Sequence, residues 1–210
     1  MSGAPICRVL TKEHQRGREA ETMPSPNPDK EPPVKTVILS KARRLRQRRS
    51  AGRQEREAKV GARVWMWWTD GSRSEYGRVG AVAVCKHRDR WKAYRSPLGT
   101  RGMNINYAEL WAIGLTLRES VKKRETLQPR AVTKVAVFSH SQAAIRRTQH
   151  PELGRGQPLA RWITGRARTL REAGIQSDIS WVPGHTGNPA NEEADRHAHL
   201  VREGRRSGTV

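Results

Sequence analysis

The chain has 210 residues and a formal net charge of +21, with 41 Lys and Arg against 20 Asp and Glu; that length accommodates one medium domain and a tail, and the cationic excess attracts polyanions, which makes nucleic acid the partner class. No apolar stretch is long enough to span a bilayer and none near the start resembles a signal peptide, which excludes a membrane partner and points to a soluble intracellular protein, nuclear or cytoplasmic. Cys7 and Cys85 are too few and too far apart for a disulfide framework or a cysteine zinc site.

Residues 1–62 are polar and punctuated by Pro24, Pro26, Pro28, Pro32 and Pro33, with little apolar periodicity outside Val34–Leu39. They read as a disordered basic tail. Residues 1–60 carry 15 Lys and Arg against 7 Asp and Glu, and residues 61–210 carry 26 against 13. The run Lys41-Ala42-Arg43-Arg44-Leu45-Arg46-Gln47-Arg48-Arg49 is a nuclear localisation signal, a phosphate-binding arm or a solvated linker.

Composition changes at Arg63. Val64-Trp65-Met66-Trp67-Trp68 is too continuously apolar to own a wet face and predicts a central strand covered on both sides, ending in a Gly-Ser turn; base stacking is the alternative use of its tryptophans. Residues 77–86 and 90–96 predict two more strands, joined by His87-Arg88-Asp89 tightly enough to be antiparallel. A helix follows from Asn106 to about Lys123, with Leu110, Ile113, Gly114, Leu117 and Val121 on one face. Residues 131–138 predict a buried strand, and residues 141–148 a short helix. After a loop at 151–158, Leu159–Ala173 predicts an amphipathic helix with Leu159, Trp162, Ile163, Ala167 and Leu170 inward, ended by Gly174. Ile175–Val182 is the last strand. Asn188-Pro189 is an N-cap followed by a first-turn proline, opening a helix to about Val201. The order βββαβααβα belongs to an α/β fold with a mixed sheet.

Four segments carry candidate chemistry: Thr69-Asp70-Gly71-Ser72, Asn106-Tyr107-Ala108-Glu109-Leu110, Ser139-His140-Ser141-Gln142-Ala143-Ala144, and Trp181-Val182-Pro183-Gly184-His185-Thr186-Gly187 running on through Asn191-Glu192-Glu193-Ala194-Asp195. Singly, each has a plain reading: Asp70 starting a turn, Glu109 completing a capping box with Asn106, Asp195 a solvated helix residue. In this order, over residues 63–203, they resemble type 1 ribonuclease H, in particular the domains carried by non-LTR retrotransposon polyproteins. The resemblance implies a ribonuclease H-like α/β fold with a five-stranded mixed sheet of order 3-2-1-4-5 flanked by helices; residues 204–210, beyond the match, read as a flexible end. It also implies a carboxylate cluster binding two Mg2+ ions and endonucleolytic hydrolysis of the RNA strand of RNA/DNA hybrids, in a chain that is part of, or derived from, a reverse-transcriptase polyprotein; Mn2+ is the alternative ion, and a monomer is expected.

Transferred residue by residue, the resemblance makes Asp70, Glu109 and Asp195 metal ligands. It makes His185 a mobile-loop group for proton transfer or product departure, and sets Gly71, Ser72, Asn106 and Asn191 against the hybrid. The pattern departs at His140, where an aspartate is expected. Imidazole offers one nitrogen lone pair in place of a charged oxygen, so Mg2+ binding weakens more than Mn2+ or Zn2+ binding. Ser139 as N-cap with Gln142 would place His140 in a first helical turn, where the helix dipole favours the neutral, ligating ring. A second departure is Gly187-Asn188-Pro189-Ala190-Asn191, where the family more often has an aliphatic residue and a glycine before the asparagine. Two function classes follow: a metal-dependent hybrid ribonuclease weakened by His140, and a catalytically impaired nucleic-acid-binding module of the same fold. A transposase or exonuclease relative is disfavoured by Trp181-Val182-Pro183-Gly184-His185.

Overall fold

The computed structural model describes residues 35–37, 64–87, 90–100, 104–124, 132–150, 156–184 and 187–204. They lie within the unit Pro32–Val210. The elements are β1 (Lys35–Val37), β2 (Val64–Arg73), β3 (Val79–His87), β4 (Arg90–Gly99), α1 (Ile105–Arg124), β5 (Lys134–Ser139), α2 (Gln142–Gln149), α3 (Gln157–Glu172), β6 (Gln176–Trp181) and α4 (Pro189–Arg202).

The sheet order is β1-β6-β5-β2-β3-β4. Counted from β2, the five strands β2 to β6 take the expected order 3-2-1-4-5. β3 pairs antiparallel with β2 and with β4, whereas β5 runs parallel to both β2 and β6. β1 is an addition: Lys35–Val37, inside the segment read as a tail, pairs in parallel with Asp178–Ser180 of β6. The cationic run at 41–49, and the rest of 1–62, lie outside the described residues, as do Arg88, Asp89 and residues 205–210.

The apolar run of β2 divides between two cores. Trp67 is fully buried in the cluster formed with α1, α2 and α3, including Leu110, Ile113, Ile145, Ile163 and Leu170. Its neighbour Trp68 points the other way, as strand alternation requires, into the cluster with Val82, Val84, Phe138 and the α4 residues Ala190, Ala194 and Ala198. Trp67 and Trp68 are therefore packing residues; Trp68 stacks on Phe138 at 5.3 Å and meets Trp91 edge-on at 5.8 Å.

Several local readings are corrected. β2 does not stop at a Gly-Ser turn: Asp70, Gly71 and Ser72 continue its ladder opposite Val82, Ala81 and Gly80. The first helix opens one residue before Asn106, and its cap is Asn104, whose Oδ1 accepts from Tyr107 N at 2.9 Å; Asn106 is helical, and Glu109 closes no capping box with it. The N-cap of α2 is Ser141, whose hydroxyl accepts from Ala144 N, so His140 lies before the helix and not in its first turn. The cap at Asn188 is as expected: its Oδ1 accepts from Ala190 N at 3.0 Å and Asn191 N at 3.4 Å, with Pro189 following.

Candidate metal centre and active site

The site forms where the carboxyl ends of the parallel neighbours β2 and β5 meet the first turns of α1. β2 supplies Asp70, α1 supplies Glu109, and His140 follows the last residue of β5. These three offer one ligand atom each, all within 4.8 Å of one another. The imidazole stands between the two acids, with Nδ1 3.5 Å from Asp70 Oδ1 and Nε2 3.3 Å from Glu109 Oε1.

Gly71 makes this approach sterically allowed. A Cβ there would lie 2.7 Å from Glu109 N and 2.9 Å from both the carbonyl carbon and Cβ of Ala108. Only a residue without a side chain lets β2 and the start of α1 come this close. Across the sheet, Thr69 Oγ1 donates to Phe138 O at 3.2 Å, tying the site ends of β2 and β5 together.

Both acids are buried, and burial dominates their electrostatics. The Asp70 carboxyl is pushed up to about 7 by desolvation and then by the charge of Asp195, with the Gly71 backbone hydrogen bond working against both. Glu109 is raised well above the ordinary range by burial and by Asp70, again opposed by the Gly71 backbone. Its Oε2 is buried without a hydrogen-bond partner. Desolvated acids that repel one another, with an oxygen left over, suit a divalent cation, which supplies the missing charge and takes the free lone pair.

The remaining candidates are placed less uniformly. Asp195 acts on Asp70 through its charge but is outside the three-donor cluster; its Oδ1 lies 3.5 Å from His199 Nε2, one helical turn on. Ser72 and Asn191 are buried, the latter with its Oδ1 unpartnered, so neither side chain presents an open contact surface, whereas Asn106 is exposed. His185 and Thr186 lie outside the described residues.

Three residues have parts in the site that the sequence reading does not assign them. Trp181 Nε1 donates to His140 O at 2.9 Å, fixing the backbone that aims the imidazole. Gly184 abuts the ring itself: a Cβ there would lie 3.3 Å from His140 Cγ. His199 faces Asp195, and the four-residue spacing on one helix was its available signal.

Among solved structures, the chain is similar to RNase H1 from the halophilic archaeon Halobacterium salinarum NRC-1, at 19% identity and a TM-score of 0.49, covering 67% of this chain and 98% of that one. No curated protein matches. The family model for RNase H matches residues 62–203, well over half the chain and the whole of the unit from β2 to α4. The chain belongs to the RNase H family.

Proposed function

We propose that the protein is a divalent-metal-dependent endonuclease that hydrolyses the RNA strand of RNA/DNA hybrids, with Mg2+ or Mn2+ as its ion. The observation that carries this reading is the convergence of Asp70, Glu109 and His140, three residues distant in sequence, on one point beside the charge of Asp195. A divalent ion held there would supply Lewis acidity for activating water and for stabilising the departing oxygen of a phosphodiester. Once the ion displaced their protons, Asp70 and Glu109 would offer it anionic oxygens held by a strand and a helix, and His140 would offer a nitrogen. Asp195 adds negative charge at the margin. His185 is assigned proton transfer or product departure.

The backbone at Gly71 and Ser72, with the exposed carboxamide of Asn106, is assigned to the RNA strand, where 2′-hydroxyls distinguish it from DNA. The high positive charge draws the phosphates of both strands. We further propose descent from a retroelement polyprotein, which rests on the sequence pattern. Among the described residues no helix is long and apolar enough to cross a membrane.

A second reading, a hybrid-binding module with impaired catalysis, is favoured by one observation: the third donor is a nitrogen where an acid would bring charge. Cleavage of an end-labelled hybrid in Mg2+ and in Mn2+, alongside hybrid binding, decides between them. The nuclease reading expects cutting by the native chain and none by Asp70→Asn, with binding retained. Cutting by Asp70→Asn would overturn the site; binding without cutting in either metal would establish the second reading.

A further inference from the structure

The composition of the donor set restricts which ion it takes. Two carboxylates and one imidazole form the site, and Glu109, 4% exposed, keeps a buried oxygen with no hydrogen-bond partner. A buried polar atom in that state carries its desolvation cost until a ligand meets it. The imidazole already turns Nδ1 towards Asp70 and Nε2 towards Glu109, on a backbone whose oxygen accepts from Trp181 Nε1. It is thus oriented in advance, as a metal-ligating histidine needs to be.

Nε2 of His140 and Oε1 of Glu109 are 3.3 Å apart, close to the roughly 3 Å that separates adjacent donors on one ion with bonds of about 2.1 Å. Mg2+ demands near-ideal octahedral oxygen and sheds water reluctantly, whereas imidazole nitrogen suits first-row transition ions. The fourth candidate ligand, Asp195, stands outside the cluster and faces His199, which leaves three donors, enough for a single ion.

We propose that the centre holds one first-row transition-metal ion, of the Mn2+, Co2+ or Zn2+ class, in preference to Mg2+, with a ring nitrogen of His140 bonded to it. This deepens the nuclease reading by naming the ion, and it rests on the same residues, so its test uses no nucleic acid. The metal-free full-length chain is titrated with Mn2+ alone and with Mn2+ against Mg2+, and the Mn2+-loaded protein is examined by pulsed electron paramagnetic resonance for nitrogen coupling. The expected results are one Mn2+ per chain, a nitrogen signal, and Mn2+ binding tighter than Mg2+ binding by about tenfold or more, the scale on which even outer-shell partners alter metal affinity. In His140→Asp the nitrogen signal disappears and the gap between the metals narrows by about the same factor.

Equal affinity for the two metals in the native chain, two bound Mn2+ ions, or Mn2+ without nitrogen coupling would each overturn the proposal, and all three are read on the native protein. A chain that binds Mn2+ through nitrogen yet never cuts a hybrid would uphold this site and sink the nuclease reading. A chain that cuts with Mg2+ and shows no nitrogen coupling would do the reverse.

Discussion

Single residues already couple the site to pH. Asp70, pushed up to about 7 from 3.8, binds a proton in the folded chain over a range where the unfolded chain has lost it. Its contribution to stability is therefore fully present below about pH 4 and is lost as pH rises towards 7; Glu109 shifts in the same direction. Without metal, the native chain should lose stability across that range, and Asp70→Asn should flatten the loss and melt higher than the native chain at pH 8. Urea melts of both proteins at pH 4.5 and pH 8 in chelator check this, and a parallel pH dependence in the two would refute it. His140→Asp should restore an anionic oxygen donor and raise Mg2+-dependent hybrid cleavage, provided the folded variant is compared at matched concentration; an unchanged or lower rate defeats the expectation. Asp70, Glu109 and His140 were legible because each sits in a distinctive local string. The environment of His140 was not: Ser139 and Ser141 are both plausible caps, and only the backbone angles, extended at Ser141, choose between them.

At the scale of elements, the closeness of β2 to α1 and the cap of α4 can each be tested by one substitution. Gly71→Ala forces a methyl into the 2.7 Å gap to Glu109 N. It should cost about 1–3 kcal/mol, as overpacking does, and depress cleavage by displacing Glu109 from Asp70. A Tm within error of native would show that the two elements separate freely. Asn188→Ala removes the acceptor for two α4 amides and should cost about 1 kcal/mol, read as a lower midpoint in chemical denaturation with the slope unchanged. Element order and type were legible from period and turn chemistry, because Gly174, Asn188 and Pro189 punctuate the chain where the structure breaks. Boundaries were less so. Asn104 and Asn106 are equally good caps as letters, and a strand that runs on through Gly71-Ser72 looks like a turn until its partner strand is known.

Across the whole molecule, the six-stranded sheet is one strand larger than expected, and the extra strand is the test of how the domain is bounded. A chain beginning at residue 35 should keep the native Tm. One beginning at residue 63 leaves the edge of β6 unpaired and should melt roughly 2–4 °C lower, as a loss of about 1 kcal/mol implies; identical melts would show that β1 adds nothing. β1 escaped the sequence reading because three residues of ladder, Lys35–Val37, are too short for any periodicity to declare itself, and their partner lies far along the chain in β6. The pairing of β1 with β6 also has a topological consequence. Residues 38–63 are the covalent leash of that strand, and a protease cut anywhere along them would turn an intramolecular docking into an encounter between two solutes. A ladder of three residues cannot survive such dilution, so a single nick would undo the pairing of β1 with Asp178–Ser180 of β6.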